Sequence, residues 1–294
     1  MAHEQRDAST SNGKTDFSSS VKGLLAVIFI GCGFFAFNVG GYNSFIPGEL
    51  VLLTRSFVVG TLLLTTLILY KTTGRANEFW PISFAFLLSS IGLLLAYFFG
   101  RWHTLIPGLS TSTVEGTAIA KLAEVLPIVM VILAGVWLVE RNFTPAFIAG
   151  GNLRKSLGLG IIIAPIGLIP FLALGGLGIS VSLEVLMSWA PWMCLFAFSN
   201  GFMEELMIRG IFLNKYDFLF GERGSLLLTS VIFALFHQAL IQYTDPVTFS
   251  TFLGVTFLFG LAWGYTMQKS ESIWGAVLAH AIADILFLVT VFGV

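Results

Sequence analysis

Charged side chains are scarce in this 294-residue sequence: Asp, Glu, Lys and Arg together make up 11% of it, against roughly 25% in an ordinary soluble domain. A chain so poor in charge cannot cover a wetted surface, so a soluble globular fold is excluded. Cysteine is scarcer still. Cys32 and Cys194 are the only two, and both fall inside apolar runs; a disulfide framework is not indicated, and they read as small buried hydrophobes. There is no excess of either sign, with 15 basic against 16 acidic residues, so no nucleic-acid partner is expected. The first 21 residues are rich in Ser, Thr, Asp and Lys and contain no apolar run. That composition excludes a cleaved signal peptide and predicts a disordered cytoplasmic tail over 1–22. The first apolar segment then serves as its own insertion signal.

What the chain has in abundance is apolar length. Hydrophobic residues make up 56% of it, and mean hydropathy is +0.90. Runs of about 20 apolar residues, enough to cross a bilayer, recur almost throughout. The expected fold is all-α, a polytopic transmembrane bundle of about nine helices, near 23–42, 50–70, 79–99, 117–138, 157–179, 183–213, 225–241, 249–267 and 273–293. The longest polar interruption, Glu140 to Ser156, divides N-terminal transmembrane helices (23–140) from a C-terminal transmembrane domain (154–294). Loop charge tests the count, because Lys and Arg concentrate on the cytoplasmic side. With the N-terminus cytoplasmic, the inner side receives Arg6, Lys14, Lys22, Lys71, Arg75, Arg141, Arg154, Lys155, Lys215, Arg223 and Lys269, and the outer side only Arg101. The expected location is therefore a multi-pass integral membrane protein, in the cell membrane if the host is prokaryotic.

Three basic residues remain inside spans, where charge costs at least ~2.5–3.5 kcal/mol near the centre. Lys121 has Glu124 one turn away and reads as half of a structural pair. Arg55 lies near a span end, close enough to snorkel to the interface. Arg209 follows two adjacent carboxylates in Glu204-Glu205-Leu-Met-Ile-Arg209. Glu205 and Arg209, at i and i+4 with the acid first, have the favourable orientation for a helical ion pair. Glu204 points about 100° away and is left for chemistry. The next span carries Phe233-Ala-Leu-Phe-His237, and the last carries His280-Ala-Ile-Ala-Asp284, placing Asp284 where it can accept from one ring nitrogen of His280 and fix its tautomer. Helical rise puts Glu204 ~14 Å, His237 ~18 Å and His280 ~10 Å from the inner ends of their spans. All three then lie between the cytoplasmic interface and the midplane of a ~30 Å core. Four such residues at one depth, on three helices, are the types that activate water or bind metal. The bland alternative is a structural charge cluster.

Glu204-Glu205-x-x-x-Arg209, Phe233-x-x-x-His237 and His280-x-x-x-Asp284 together resemble the three motifs of the CPBP intramembrane proteases, the CAAX-processing and bacteriocin-processing (Abi) group. The lead-in Gly260-Leu-Ala-Trp263-Gly264 through Ser272-Ile-Trp274 to Ala279 is similar as well. The resemblance runs from about Ser182 to Val294 and leaves out the first four spans. Asp284 stands where the family often has Asn. The resemblance implies peptide-bond hydrolysis, with Glu204 as general base and His237 and His280 holding the water or stabilising the oxyanion. It also implies a divalent metal such as zinc on His237, His280 and Glu204, although the helical zinc signature His-Glu-x-x-His is absent. The expected partners are a peptide or protein substrate at the membrane and the bilayer itself. Two other readings use the same residues: a proton-coupled transporter with Glu204, His237, His280 and Asp284 as relay, and a catalytically silent scaffold or immunity protein. No inverted repeat supports the transporter.

Overall fold

The computed structural model describes residues 17–42, 46–173, 176–238 and 245–293. Nine principal helices follow one another among them, with no strand: α1 (Ser19–Gly33), α2 (Val51–Lys71), α3 (Trp80–Phe99), α4 (Val114–Glu140), α5 (Leu153–Ile163), α6 (Leu183–Glu204), α7 (Leu213–Gln238), α8 (Pro246–Ser270) and α9 (Trp274–Phe292). Among the described residues, eight segments are long and apolar enough to cross a membrane, one built on each of these helices except α6. The chain is thus a multi-pass integral membrane protein with an all-helical bundle fold. α6 is the helix that carries Asn200 and Glu204, and it packs between α4 and α9, enclosed by neighbours that can meet its polar side chains.

Local sequence explains the breaks. Pro165 sits in the 3-10 turn Ala164–Gly167, which ends α5 and offsets the short helix Leu168–Ala173 from it. Gly221 takes φ +72°, a left-handed conformation that other residues rarely adopt. It divides α7 into a first stretch from Leu213 and the stretch that carries His237, so this helix begins earlier than the expected 225. Two helices end in wide π turns, α1 at Phe34–Val39 and α6 at Glu205–Gly210. Gly260 lies against α7, where a Cβ would meet Ser230 at 2.8 Å; the small-residue pair Gly260 and Gly264 is what lets α7 and α8 approach closely.

Several expectations change. The helix begins at Ser19, inside the predicted tail, whose first sixteen residues lie outside the described ones. Cys194 is exposed and Cys32 only half-buried, because α6 and α1 turn these positions outward from the bundle. Arg55 does not rely on the interface: it donates to the carbonyls of Leu93 at 2.8 Å and Gly41 at 2.6 Å. Lys121 and Glu124 pair as expected, at 2.8 Å.

Candidate active site

The π turn after Glu204 decides the geometry of the site. In a regular helix the two adjacent glutamates would diverge by about 100°; here the backbone widens at Glu205, and both carboxylates reach the same imidazole. Glu205 Oε1 lies 2.9 Å from His280 Nδ1, and Glu204 Oε2 lies 3.7 Å from His280 Nε2. Glu205 Oε1 is also 3.3 Å from Arg209 Nη1. Glu205 is therefore a bridge between Arg209 and His280, a larger part than the ion pair expected of it. This also revises the part of Asp284. Its Oδ1 sits 3.8 Å from His280 Nε2, beyond hydrogen-bond range, and its Oδ2 accepts from Asn200 Nδ2 at 3.0 Å. The tautomer of His280 is set by Glu205, because the π turn brings that carboxylate to Nδ1 first.

His237 arrives from α7. Its Nδ1 lies 2.9 Å from the Phe233 carbonyl, which can only accept, so Nδ1 carries a hydrogen. Its Nε2 then faces Glu204 Oε2 at 3.3 Å. The same logic gives His280 a hydrogen on Nδ1, directed at Glu205. In their neutral forms both histidines thus aim a lone pair at a carboxylate oxygen. Glu204 Oε2 is buried and accepts no hydrogen bond among the described residues. Three acceptors converging on one point call for something with hydrogens to give, and a water molecule has two.

The surroundings hold this group rigidly. The Trp263 indole stacks on His280 with centroids 4.0 Å apart and planes 17° from parallel. The Arg209 guanidinium is fully buried and lies 4.1 Å from the Phe233 ring centroid, a cation–π contact that offsets part of its desolvation. Asn38, buried in the π turn that ends α1, donates to the Leu235 carbonyl at 2.9 Å and ties that turn to the end of α7 just before His237. The site opens into a cavity of about 360 Å³. Its walls are largely aromatic, with Phe196, Phe233, Phe252, Phe259 and Phe287 among them, and Lys121, Asn200, Glu204, His237, His280 and Asp284 supply the polar lining.

The structure therefore brings Glu204, His237, His280 and Asp284 together with Glu205 and Arg209. The sequence reading passed over Asn200, Asn38 and Trp263. Asn200 stands one turn before Glu204, and Trp263 lies inside the quoted Gly260–Gly264 stretch, so position alone could have flagged both; Asn38 carries no such signal. Two histidines and a glutamate are donor types that zinc takes, but their placement here does not close on an ion. Among the described residues no group of three or more His, Cys, Asp or Glu side chains is placed to hold an ion. The 3.7 Å between Glu204 Oε2 and His280 Nε2 also exceeds the ~3.4 Å edge that two ligands at 2.0–2.1 Å would make in a tetrahedron.

The family model described as type II CAAX prenyl endopeptidase Rce1-like matches residues 186–286. No curated protein and no solved structure matches the chain. The matched stretch runs through most of α6 to most of α9 and includes Glu204, Glu205, Arg209, His237, His280 and Asp284. That family is one of CAAX-processing proteases, in accord with the motif resemblance. The match of this integral membrane protein to the Rce1-like type II CAAX prenyl endopeptidase family thus spans residues 186–286, about a third of its length.

Proposed function

We propose that the chain is an intramembrane endopeptidase in which Glu204 activates the hydrolytic water. The observation that carries the reading is the orphaned Glu204 Oε2, with the Nε2 atoms of His237 and His280 at 3.3 and 3.7 Å and the other nitrogen of each ring already bonded. A water bound there gives one hydrogen to His280 Nε2 and the other to Glu204 Oε2. Glu204 takes its hydrogen as the water oxygen attacks the scissile carbonyl. His237, the more exposed of the two rings, takes up a proton from solution at Nε2 and donates it as a hydrogen bond to the tetrahedral oxyanion. Glu204 then returns the proton to the leaving nitrogen as the C–N bond breaks. Glu205, held by Arg209, positions His280, and Asn200 restrains Asp284 at the edge of the water site.

An aromatic chamber within the bilayer suits a peptide that carries an apolar group, and the family description supports a prenylated one. The test is direct. The purified full chain, in nanodiscs, is incubated with a farnesylated-cysteine peptide and the products are read by mass spectrometry. Cleavage by the wild type and none by Glu204→Gln, with the variant folded, is expected. Cleavage retained in Glu204→Gln would overturn the assignment of the base.

A further inference from the structure

We propose that the peptide Glu204 cleaves enters the chamber from the non-cytoplasmic side of the membrane, although the catalytic layer itself lies in the cytoplasmic half. The proposal rests on the endopeptidase reading above and names the side on which its substrate is presented. Loop charge orients the bundle: Arg141, Arg154, Lys155, Lys215 and Lys269 all lie at one end of it, where α4 and α8 finish and α5 and α7 begin. Hydrogen bonds tie that end together, from Asn152 N to the Ser270 carbonyl at 2.8 Å and from Asn214 Nδ2 to the Pro145 carbonyl at 3.0 Å. α6 and α8 therefore run inward, and α9 runs outward. On each of the three, the layer of the reaction centre is the inner limit of the chamber lining: Glu204 on α6, Trp263 on α8 and His280 on α9. From there the lining of these helices extends only outward, to Phe196, Phe252 and Thr290, over ~12–17 Å of helical rise.

The cytoplasmic side of that layer is shut. Met207, Arg209, Met267, Ile273 and Val277 fill it, each 0% exposed. α5 and α9 touch there backbone to backbone: a Cβ on Gly160 would strike the Gly275 carbonyl, and one on Gly275 the carbonyl of Ser156. The cavity at the cytoplasmic end, about 390 Å³ and lined by Thr144, Asn214, Glu222 and Glu271, has no residue in common with the chamber. By contrast, a cavity of about 360 Å³ bordered by Arg101 and His103 at the outer end shares Lys121 and Phe196 with it. Farther out the chamber lining reaches the surface, where Phe287 is 48% exposed. A close-packed interior admits no peptide without coming apart, so the open route to Glu204 is the outer one. The substrates are then peptides exported to, or anchored on, the outer face, with an apolar segment that the aromatic walls accept.

Labelling and cleavage test the proposal separately, on the full chain in right-side-out and inverted membrane vesicles. Cys32→Ser with Cys194→Ser provides a background without thiols. In that background Thr290→Cys, at the outer end of the chamber, should react with a membrane-impermeant maleimide in right-side-out vesicles, and Asn214→Cys in inverted ones. Phe252→Cys takes the place of Thr290→Cys if that variant misfolds. Thr290→Cys that reacts in inverted vesicles, in neither preparation, or from the same side as Asn214→Cys overturns the proposal. For cleavage, a farnesylated-cysteine peptide is coupled to dextran so that it stays on the side to which it is added. Right-side-out vesicles should cut it, and inverted ones should leave it intact until detergent opens them. Cutting by intact inverted vesicles, or cutting that needs detergent in both preparations, overturns the proposal. No cutting even in detergent refutes the endopeptidase reading instead, and the labelling pattern then decides the side of access.

Discussion

Arg209 and Glu205 are both fully buried, their side chains 0% exposed and 3.3 Å apart, and this makes the pair open to a quantitative test. Glu205→Gln keeps the shape and an acceptor for His280 Nδ1 but removes the counter-charge of the guanidinium. An uncompensated buried charge costs about 3–5 kcal/mol, and Arg209 has few other partners: none of its nitrogens makes a hydrogen bond among the described residues, and the Phe233 and Trp263 faces supply only part of that, about 2 kcal/mol for a desolvated contact. Arg209→Met leaves the Glu205 carboxylate in the converse position, with only His280 Nδ1 to hold it, and should cost a similar amount. If the two effects were independent, the double variant would lose about 6–10 kcal/mol. If the pair is a unit, the double removes both charges together and should lose no more than either single variant. The assay is equilibrium unfolding of the purified protein in mixed micelles, with all four proteins compared. Additive losses, or single substitutions costing under about 1 kcal/mol, would refute the idea that Glu205 balances Arg209 inside the bundle.

Further tests address the remaining parts of the site. Asn200→Ala frees Asp284 beside the water site and should lower kcat by about tenfold with little change in KM; an unchanged kcat would remove Asn200 from the positioning scheme. Replacing Trp263 by Leu takes the stacked ring off His280 and should lower activity while Glu204→Gln remains the more severe variant, as single-turnover rates would reveal. Gly260→Leu drives a side chain into Ser230 and should separate α7 from α8, seen as a loss of thermal stability of several degrees; wild-type stability would contradict the close approach. Dialysis against a zinc chelator should leave the rate unchanged, whereas inactivation reversed by added zinc would restore the metal to the mechanism.

Much of the architecture was legible from composition, because a bilayer demands long apolar helices and the chain offers little else. The meeting of Glu204, His237 and His280 was legible too, since helical rise and loop charge alone lead one to expect them in one layer. The local geometry at Glu204-Glu205 was not. A periodicity of 3.6 residues assumes an unbroken α-helix, and the π turn at Glu205–Gly210 swings Glu205 onto His280 and leaves Asp284 to Asn200. Nothing in Glu-Leu-Met-Ile-Arg-Gly announces that turn. Asn38 was invisible for a different reason: its carbonyl partner lies 197 residues away, and an asparagine near the end of an apolar run reads as an interface residue. Lys121 was correctly paired with Glu124, but only tertiary packing places that pair beside the chamber.

The account rests on one carboxylate oxygen. The most direct test is single-turnover cleavage of a farnesylated-cysteine peptide by nanodisc-embedded wild type and Glu204→Gln, with folding of the variant established by its unfolding curve. Loss of a positioned general base should lower the rate by at least about 10²–10⁴-fold while peptide binding persists. A folded Glu204→Gln protein that cleaves within a few-fold of the wild-type rate would contradict the central assignment.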